Sequence, residues 1–189
     1  MKQIGDGEKV QMRTRKDLAE EAHRAALKPF HGDIQGRESN LEPIISLFPK
    51  WSVQQADGLW CAAFVYYCCL LAGFDFPYSP SSCVSCSLAG CGGWEEFALG
   101  DSQIAYHRRG EQGFVPQAGD IVLYDRVFNG QEHDHIGVVL EASDGGLVAA
   151  EGNVPGKNCS GLVRRRRDEH IRAYIRIPDG YWYEEDSET

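Results

Sequence analysis

Residues 60–72, WCAAFVYYCCLLA, form an apolar run that constrains how the rest of the chain folds. The run is long for a strand, and as a helix it is apolar on every face, so it must be buried all round. Asp57 lies near the position of an N-terminal cap, and Gly73 provides a C-terminal stop. The sequence therefore predicts a central helix enclosed by the remainder of the domain.

Helices are predicted before this run and short strands after it. Residues Arg15–Leu27 carry apolar side chains at helical spacing, with Pro29 ending the pattern, and residues 41–48 predict a shorter helix. After Pro116 the pattern changes to strands bounded by Gly, Asn and Asp, at residues 120–125, 135–141, 147–151 and 171–177. Helices first and strands later predict an α+β domain in which the buried helix packs on an antiparallel sheet.

Length and charge restrict the class of protein. A chain of 189 residues, 42% of them hydrophobic, is large enough for one domain with a substantial core. The net charge of −9 argues against a nucleic-acid binder and against electrostatic docking to an anionic membrane. No apolar run reaches the roughly 18 residues that a membrane span needs. The polar N-terminus lacks the apolar stretch of a secretory signal, so we expect a chain that is cytoplasmic as synthesised.

The chain contains seven cysteines, an odd number, and Cys68 and Cys69 are adjacent inside the apolar run. This pattern favours buried thiols in a reducing compartment over a framework of disulfides. A second group begins with a C-x-x-C spacing, and His107 could complete a zinc site with it; its members are Cys83, Cys86 and Cys91. Because no second closely spaced pair follows, we predict no metal and no cofactor, and the role of these three thiols stays open.

Cys61 is the thiol best placed for chemistry. A cysteine attacks only as a thiolate, and the positive end of a helix lowers its pKa. Cys61 begins the predicted buried helix, whereas Cys68 and Cys69 lie two turns further along. The free N–H groups at the same helix end can also hold an oxyanion. A cysteine in an apolar helix is more often a core residue, so position alone does not decide its role.

A histidine and a carboxylate in the second half of the chain could complete the site. His135 opens one predicted strand, Glu151 ends the next, and Asn153 follows directly. Neighbouring antiparallel strands bring the start of one beside the end of the other, so Glu151 could accept the ring N–H of the histidine. His133 would share the face of His135 in a continuous strand, and the spacing alone leaves both histidines open.

Four segments, in this order, match the motifs of one known family: residues 60–65 (WCAAFV), 116–122 (PQAGDIV), 135–139 (HIGVV) and 151–153 (EGN). In these segments the chain resembles the CHAP domain, the cysteine, histidine-dependent amidohydrolase/peptidase, which belongs to the papain-like superfamily with the NlpC-type wall peptidases. The resemblance extends over about residues 36–177. It favours His135 over His133, because the histidine strand of the family matches residues 135–139.

The resemblance implies a papain-like fold in which N-terminal helices and a buried, nucleophile-bearing helix pack on an antiparallel sheet. It implies Cys61 as the nucleophile, His135 as the base and then the acid, and Glu151 as the residue that orients it. Asn153 would be a supporting polar group or an alternative third member. The usual substrates of the family are amide bonds in bacterial peptidoglycan, cleaved by bacterial or phage proteins without a metal.

This interpretation divides the chain into an N-terminal helical extension (residues 1–35), a CHAP-like catalytic domain (36–180) and an acidic C-terminal tail (181–189). Trp60 and Trp94 are the predicted aromatic residues of a substrate groove. No calcium-type acidic loop precedes Cys61, and no wall-binding domain is recognisable. If the wall is the target, we expect release or export by a route that the sequence does not encode.

Two other functions remain open from the sequence. The same chemistry could act on a cytoplasmic peptide or a small amide conjugate, which the missing export signal and the many thiols favour. The chain could instead be a non-catalytic module that binds peptides or contains zinc. The basic run at residues 164–167 predicts a charged edge strand, in which alternate arginines point in opposite directions.

Overall fold

The helices of this protein precede its strands along the chain. The computed structural model describes residues 13–185. The helices of this part are α1 (Arg15–Leu27), α2 (Glu42–Ile45), α3 (Val53–Ala56), α4 (Cys61–Leu71) and α5 (Cys91–Gly100). Its strands are β1 (Ala105–Arg108), β2 (Ile121–Tyr124), β3 (His135–Ala142), β4 (Gly146–Glu151), β5 (Gly161–Arg166) and β6 (Ile171–Arg176). The predicted mixture of helices and strands, an α+β fold, is confirmed.

The strands form one antiparallel sheet in the order β1-β6-β2-β3-β4-β5. Strand β3 therefore lies between β2 and β4, and β5 is an edge strand. In the β3–β4 pair Val138 lies opposite Ala150, which sets the first residues of β3 beside the last residues of β4. His135 and Glu151 consequently lie at the same margin of the sheet.

Helix α4 is the centre of the main core, as the apolar run predicts. Phe64 and Val65 are fully buried, and they pack in the same cluster as Leu18 of α1 and Ile136 and Val138 of β3. Burying each side chain of this size stabilises the fold by roughly 1.5–3 kcal/mol. Helix α1 begins with a capping box and contacts both α4 and the sheet. Within residues 13–185, no helix is both long and apolar enough to cross a membrane.

The opposite face of the sheet carries a smaller apolar cluster that includes Tyr124, Val139 and Ala149. Side chains alternate between the two faces of a strand. His135 pairs with Tyr124 and therefore shares this second face, whereas Ile136 faces α4. Because His135 is the first residue of β3, its ring lies at the sheet margin, where it can approach the beginning of α4.

Several local features differ from the sequence-based expectations. The second predicted helix shortens to Glu42–Ile45, whereas α3, α5 and β1 were not predicted. The expectation that Asp57 caps the central helix is wrong. Asp57 ends α3, and its Oδ1 accepts hydrogen bonds from the backbone of Asp33 (2.9 Å) and the side chain of Asn158 (2.7 Å). Trp60 holds the capping position of α4 and makes no capping side-chain hydrogen bond.

Two parts of the predicted domain organisation lie outside the described residues. These are residues 1–12 of the N-terminal extension and residues 186–189 of the acidic tail. Within the described part, α1 belongs to the segment assigned to the extension, and it packs on α4, β3, β4 and β5.

Candidate active site

Cys61 is the first residue of α4, with its thiol at the end of the helix that carries partial positive charge. The side chain of the N-cap residue, Trp60, makes no hydrogen bond to this helix end, so it does not occupy the first N–H groups of α4. Cys61 is 7% exposed, whereas Cys68 and Cys69 are completely buried further along the helix. Burial also raises the pKa of Cys69 above that of an ordinary thiol. Among the three thiols of α4, only Cys61 is partly exposed, and only Cys61 lies at the helix end that favours the thiolate.

The segment before Cys61 is fixed by two contacts from the loop after β4. The indole Nε1 of Trp60 donates to Oδ1 of Asn158 at 3.0 Å. The amide Nδ2 of Asn153 donates to the backbone oxygen of Gly58 at 2.6 Å. These contacts tie the start of α4 to the end of β4, the two elements that bear Cys61 and Glu151.

His135 lies between Cys61 and Glu151 in the chain of contacts. Its Nε2 is 2.8 Å from Oε2 of Glu151. Its Nδ1 is buried and has no partner with formed hydrogen-bond geometry among residues 13–185, yet its ring interacts electrostatically with the Cys61 thiol. Hydrogen bonds of this kind are often loose in unliganded sites and tighten when substrate binds. The rings of Tyr124 and Phe128 lie nearly parallel to the imidazole, with centroids 5.9 and 6.1 Å away.

Glu151 is completely buried and is held by a guanidinium. Arg165 donates from Nε to Oε1 at 2.9 Å and from Nη2 to Oε2 at 2.6 Å. The same guanidinium lies over the ring of Tyr124, 5.1 Å from its centroid. Burial alone would raise the pKa of Glu151, but the hydrogen bonds from Arg165 and His135 outweigh it and lower that pKa. Glu151 is therefore a carboxylate at neutral pH.

The electrostatics favour a charged pair of cysteine and histidine. A hydrogen bond with Cys91 is the largest influence on Cys61; against the opposing effect of burial, it and the interaction with His135 lower the pKa of Cys61 to about 5. Burial lowers the pKa of His135, but the contacts with Cys61 and Glu151 prevail and raise it to about 9. Between these values the site can hold a thiolate beside an imidazolium, the activated state of a cysteine nucleophile.

Of the two histidines that the spacing left open, only His135 lies beside Cys61. The backbone of His133 is in the left-handed region, with φ of 52°, and it precedes β3. The two residues therefore do not share a strand face. The Nε2 of His133 contacts Oε2 of Glu95 on α5, and its backbone N–H donates to Asp125.

The remaining predicted site residues make no hydrogen bond to the His135 ring within residues 13–185. Asn153 has φ of 48° and its amide donates to Gly58, so it supports the segment before Cys61 and makes no hydrogen bond to the imidazole. Trp60 and Trp94 are completely buried, and the indole of Trp94 donates to the backbone of Leu88. Neither indole has surface open to a ligand, so we leave both out of the groups proposed to contact substrate.

The candidate zinc ligands do not converge. Cys83 donates to the backbone oxygen of Gly93, and His107 bonds with Glu111 and stacks on Phe114. Across residues 13–185 no group of three or more His, Cys, Asp or Glu side chains is arranged to hold a metal ion.

Three contributors to the site were not found from the sequence. Arg165 belongs to the basic run, and only the register of β5 on β4 turns it towards Glu151. The Sγ of Cys91 lies 3.8 Å from the Sγ of Cys61, and Cys91 is the first residue of α5, a helix that was not predicted. Phe128 is positioned by Asp134, whose carboxylate accepts hydrogen bonds from four successive backbone N–H groups of residues 127–130. The run of Gly and Asn before His135 was the available signal for such a loop.

Comparison with known proteins identifies the family and the fold. The sequence model of the CHAP domain matches residues 53–153, just over half of the 189-residue chain. Among solved structures, the chain is similar to one titled "The crystal structure of Ly7917", with a TM-score of 0.50 and 14% identity over 87% of this chain. The match spans 62% of the length of that structure's chain, and at this identity the likeness concerns the fold alone. No curated protein matches the sequence.

Proposed function

Because the chain belongs to the CHAP domain family, a family of amidases and peptidases, we propose that it is a cysteine hydrolase of amide bonds. The observation that carries the proposal is the arrangement of His135, whose ring interacts electrostatically with the Cys61 thiol and whose Nε2 lies 2.8 Å from Oε2 of Glu151. Each member lies at the end of its own element, so the set depends on the tertiary fold and not on one local motif. A nucleophile, a base and a group that orients the base are the parts that such chemistry requires.

In the first step the Cys61 thiolate attacks the carbonyl carbon of the amide, and a carbon–sulfur bond forms. The carbonyl oxygen gains the negative charge. The N–H groups at the beginning of α4 are not capped by the side chain of Trp60, and they are the proposed donors to this oxyanion. In enzymes that use such donors, removing one of them lowers kcat by a factor of about 10²–10³.

In the second step His135 gives its Nδ1 proton to the leaving amine as the carbon–nitrogen bond breaks, which leaves a thioester on Cys61. The imidazole then takes a proton from water, the water oxygen attacks the thioester, and the thiolate is released. Throughout, Glu151 keeps its hydrogen bond to Nε2, so that Nδ1 remains the nitrogen directed at the reacting atoms. Arg165 keeps Glu151 ionised.

We extend the proposal to the fold. The nucleophile at the start of a buried helix and the histidine at the start of a central strand support a papain-like arrangement. In this proposal residues 36–180 are the catalytic domain, preceded by a helical extension and followed by an acidic tail.

The proposed substrate is a stem or cross-bridge peptide of bacterial peptidoglycan, and the support comes from the family. In this proposal the protein acts on the cell wall after release or export.

A second candidate keeps the chemistry and changes the substrate to a cytoplasmic peptide or a small amide conjugate. All seven cysteines lie within the described residues and are free thiols, which suits a reducing compartment. The third option, a non-catalytic module that binds peptides or contains zinc, has less support, because the chain retains the thiol, the imidazole and the carboxylate that nucleophilic catalysis requires.

The test is mass spectrometry of purified peptidoglycan incubated with the wild type, with Cys61→Ala and with Cys159→Ala as the matched control. New muropeptides from the wild type and Cys159→Ala, absent with Cys61→Ala, would support the proposal and identify the bond. Products that persist with Cys61→Ala would contradict the assignment of the nucleophile. If no protein gives products on several wall types, the peptidoglycan substrate is wrong and small amides are tested next.

A further inference from the structure

A second thiol lies against the proposed nucleophile. The Sγ atoms of Cys61 and Cys91 are 3.8 Å apart, although the residues are 30 positions apart in the chain. Both side chains are buried, and each is the first residue of its helix, Cys61 of α4 and Cys91 of α5. The positive ends of two helices therefore converge on one pair of sulfur atoms. At this distance one thiol can donate its proton to the other sulfur.

The surrounding charges decide which sulfur carries the proton. His135 faces Cys61 and favours its thiolate. The hydrogen bond with Cys61 and burial are the main causes that raise the pKa of Cys91 well above that of an ordinary thiol, and the nearby Asp134 and Cys86 raise it further. The proton therefore stays on Cys91, and Cys61 is the sulfur that ionises.

The position of Cys91 is enforced by the helix that bears it. One turn later on α5, Glu95 accepts from Arg172 at 2.8 and 3.1 Å. At the start of the helix the N–H of Gly93 donates to Sγ of Cys86 at 3.1 Å. A Cβ on Gly93 would meet the backbone oxygen of Ser87 at 2.3 Å. The backbone at Ser87 therefore approaches α5 as closely as a glycine permits. Cys91 is thus held in place from both sides.

We propose that Cys91 is a positioning residue for the nucleophile: its S–H donates a hydrogen bond to the Cys61 thiolate, fixes the sulfur in place and stabilises its ionised form. The inference rests on the proposed function, because it assigns a partner to the proposed nucleophile. It has a chemical cost, since a stabilised thiolate is a weaker nucleophile, but it raises the fraction of thiolate at neutral pH. A free thiol with a pKa of about 8.5 would have only a few per cent.

The test measures ionisation of Cys61 without any substrate. The rate of alkylation by iodoacetamide at Cys61 is followed by mass spectrometry of its peptide, as a function of pH, in the folded full-length protein. Cys91→Ala removes the donor, Cys91→Ser replaces it with an O–H donor, and Cys159→Ala is the control. We expect the midpoint of the pH profile of Cys61 alkylation to be about one to two pH units higher in Cys91→Ala than in the wild type. This is the shift that a hydrogen bond to a charged group supplies. Cys91→Ser and Cys159→Ala should stay within about half a unit of the wild type.

An unchanged midpoint in Cys91→Ala would overturn the proposal, and so would an equal shift in Cys91→Ser. If Cys91→Ala does not fold, the wild type still decides: limiting iodoacetamide at neutral pH should modify Cys61 in preference to Cys91, and the reverse order would contradict the inference. The measurement is separable from the function, because a protein that cleaves no amide can still show the shift. In that case the hydrogen bond stands and the proposed hydrolase falls.

Discussion

The guanidinium of Arg165 holds both carboxylate oxygens of Glu151, with Nε 2.9 Å from Oε1 and Nη2 2.6 Å from Oε2. Glu151 has no exposed surface, so its charge would be costly without this partner. The same Oε2 also contacts Nε2 of His135. Arg165 therefore acts on the histidine through Glu151, as a positioning residue for the proposed site.

Replacing Arg165 should weaken activity through the charge of Glu151. In Arg165→Gln, burial is no longer offset by the guanidinium, so the pKa of Glu151 rises and the support for a charged His135 declines. We expect kcat/KM on the amide substrate to fall about 10-fold or more, since a hydrogen bond to a charged group contributes roughly 1.5–3 kcal/mol.

Arg164→Gln is the matched control, because Arg164 is the neighbouring residue of the same strand and is exposed. Alternation directs its side chain away from Glu151. Its kcat/KM should equal that of the wild type, and thermal unfolding of both variants should show that they are folded. Equal losses in the two variants would mean that the basic run acts by general charge and not through Glu151.

The pH dependence of the reaction should be bell-shaped. Below about 5 the Cys61 thiolate takes up a proton and can no longer attack, because 5 is the value to which its pKa is lowered. Above about 9 His135 loses the proton that the leaving amine needs, because contacts with Cys61 and Glu151 raise its pKa to that value. The profile of kcat/KM reports the free protein, so it should be flat between these limits. A rise centred near pH 8 to 9 would show that Cys61 ionises as an ordinary thiol.

Much of the site could be predicted because periodicity indicates the elements that carry it, and the resemblance to the CHAP domain selects Cys61 and His135 within them. The apolar run specifies one buried helix, and the structure confirms it at Cys61–Leu71. The alternating segments after residue 116 specify antiparallel neighbours, which bring the start of β3 beside the end of β4. The contact between His135 and Glu151 is a direct consequence of that pairing.

The other contributors depend on tertiary contacts that periodicity does not encode. Helix α5 contains three glycines in CGGWEEFALG and has low helical propensity, yet burial of Trp94 and Phe97 stabilises it. Cys91 reaches Cys61 only through this helix. Likewise, four successive arginines give no indication of which one turns inward, because that choice is made by the register in which Arg165 lies opposite Leu147.

Two variants distinguish whether Glu151 or Asn153 is the residue that orients His135. Glu151→Gln keeps the shape but removes the charge, and we expect kcat/KM to fall on the order of 10²-fold, the lower end of what general acid–base groups contribute. Asn153→Gly removes the amide and suits the φ of 48°. It loses the hydrogen bond to Gly58, so it should cost about 1 kcal/mol of stability and less than about 5-fold in kcat/KM. The reverse order of effects would make Asn153 the third member.

Gly152 connects these two residues, and its lack of a side chain is required by the start of α4. A Cβ at this position would lie 2.4 Å from Cβ and 2.7 Å from Cγ of Phe64, and 3.0 Å from Trp60. Both rings are fully buried and cannot move away without disturbing the core. We expect Gly152→Ala to lower the free energy of unfolding by about 1–3 kcal/mol, as overpacking does.

The matched control is Gly145→Ala, in the exposed turn between β3 and β4, where an added Cβ meets nothing within 4 Å. Its free energy of unfolding should stay within about 0.5 kcal/mol of the wild type. Chemical denaturation of the wild type and the two variants measures both values. Because Phe64 lies one turn after Cys61 on α4, a shift of its ring also displaces the nucleophile, so Gly152→Ala should lose activity under conditions in which it remains folded. If Gly152→Ala is as stable as the wild type, α4 and the end of β4 are not in close contact. The proposed alignment of Cys61 with Glu151 would then lose its support.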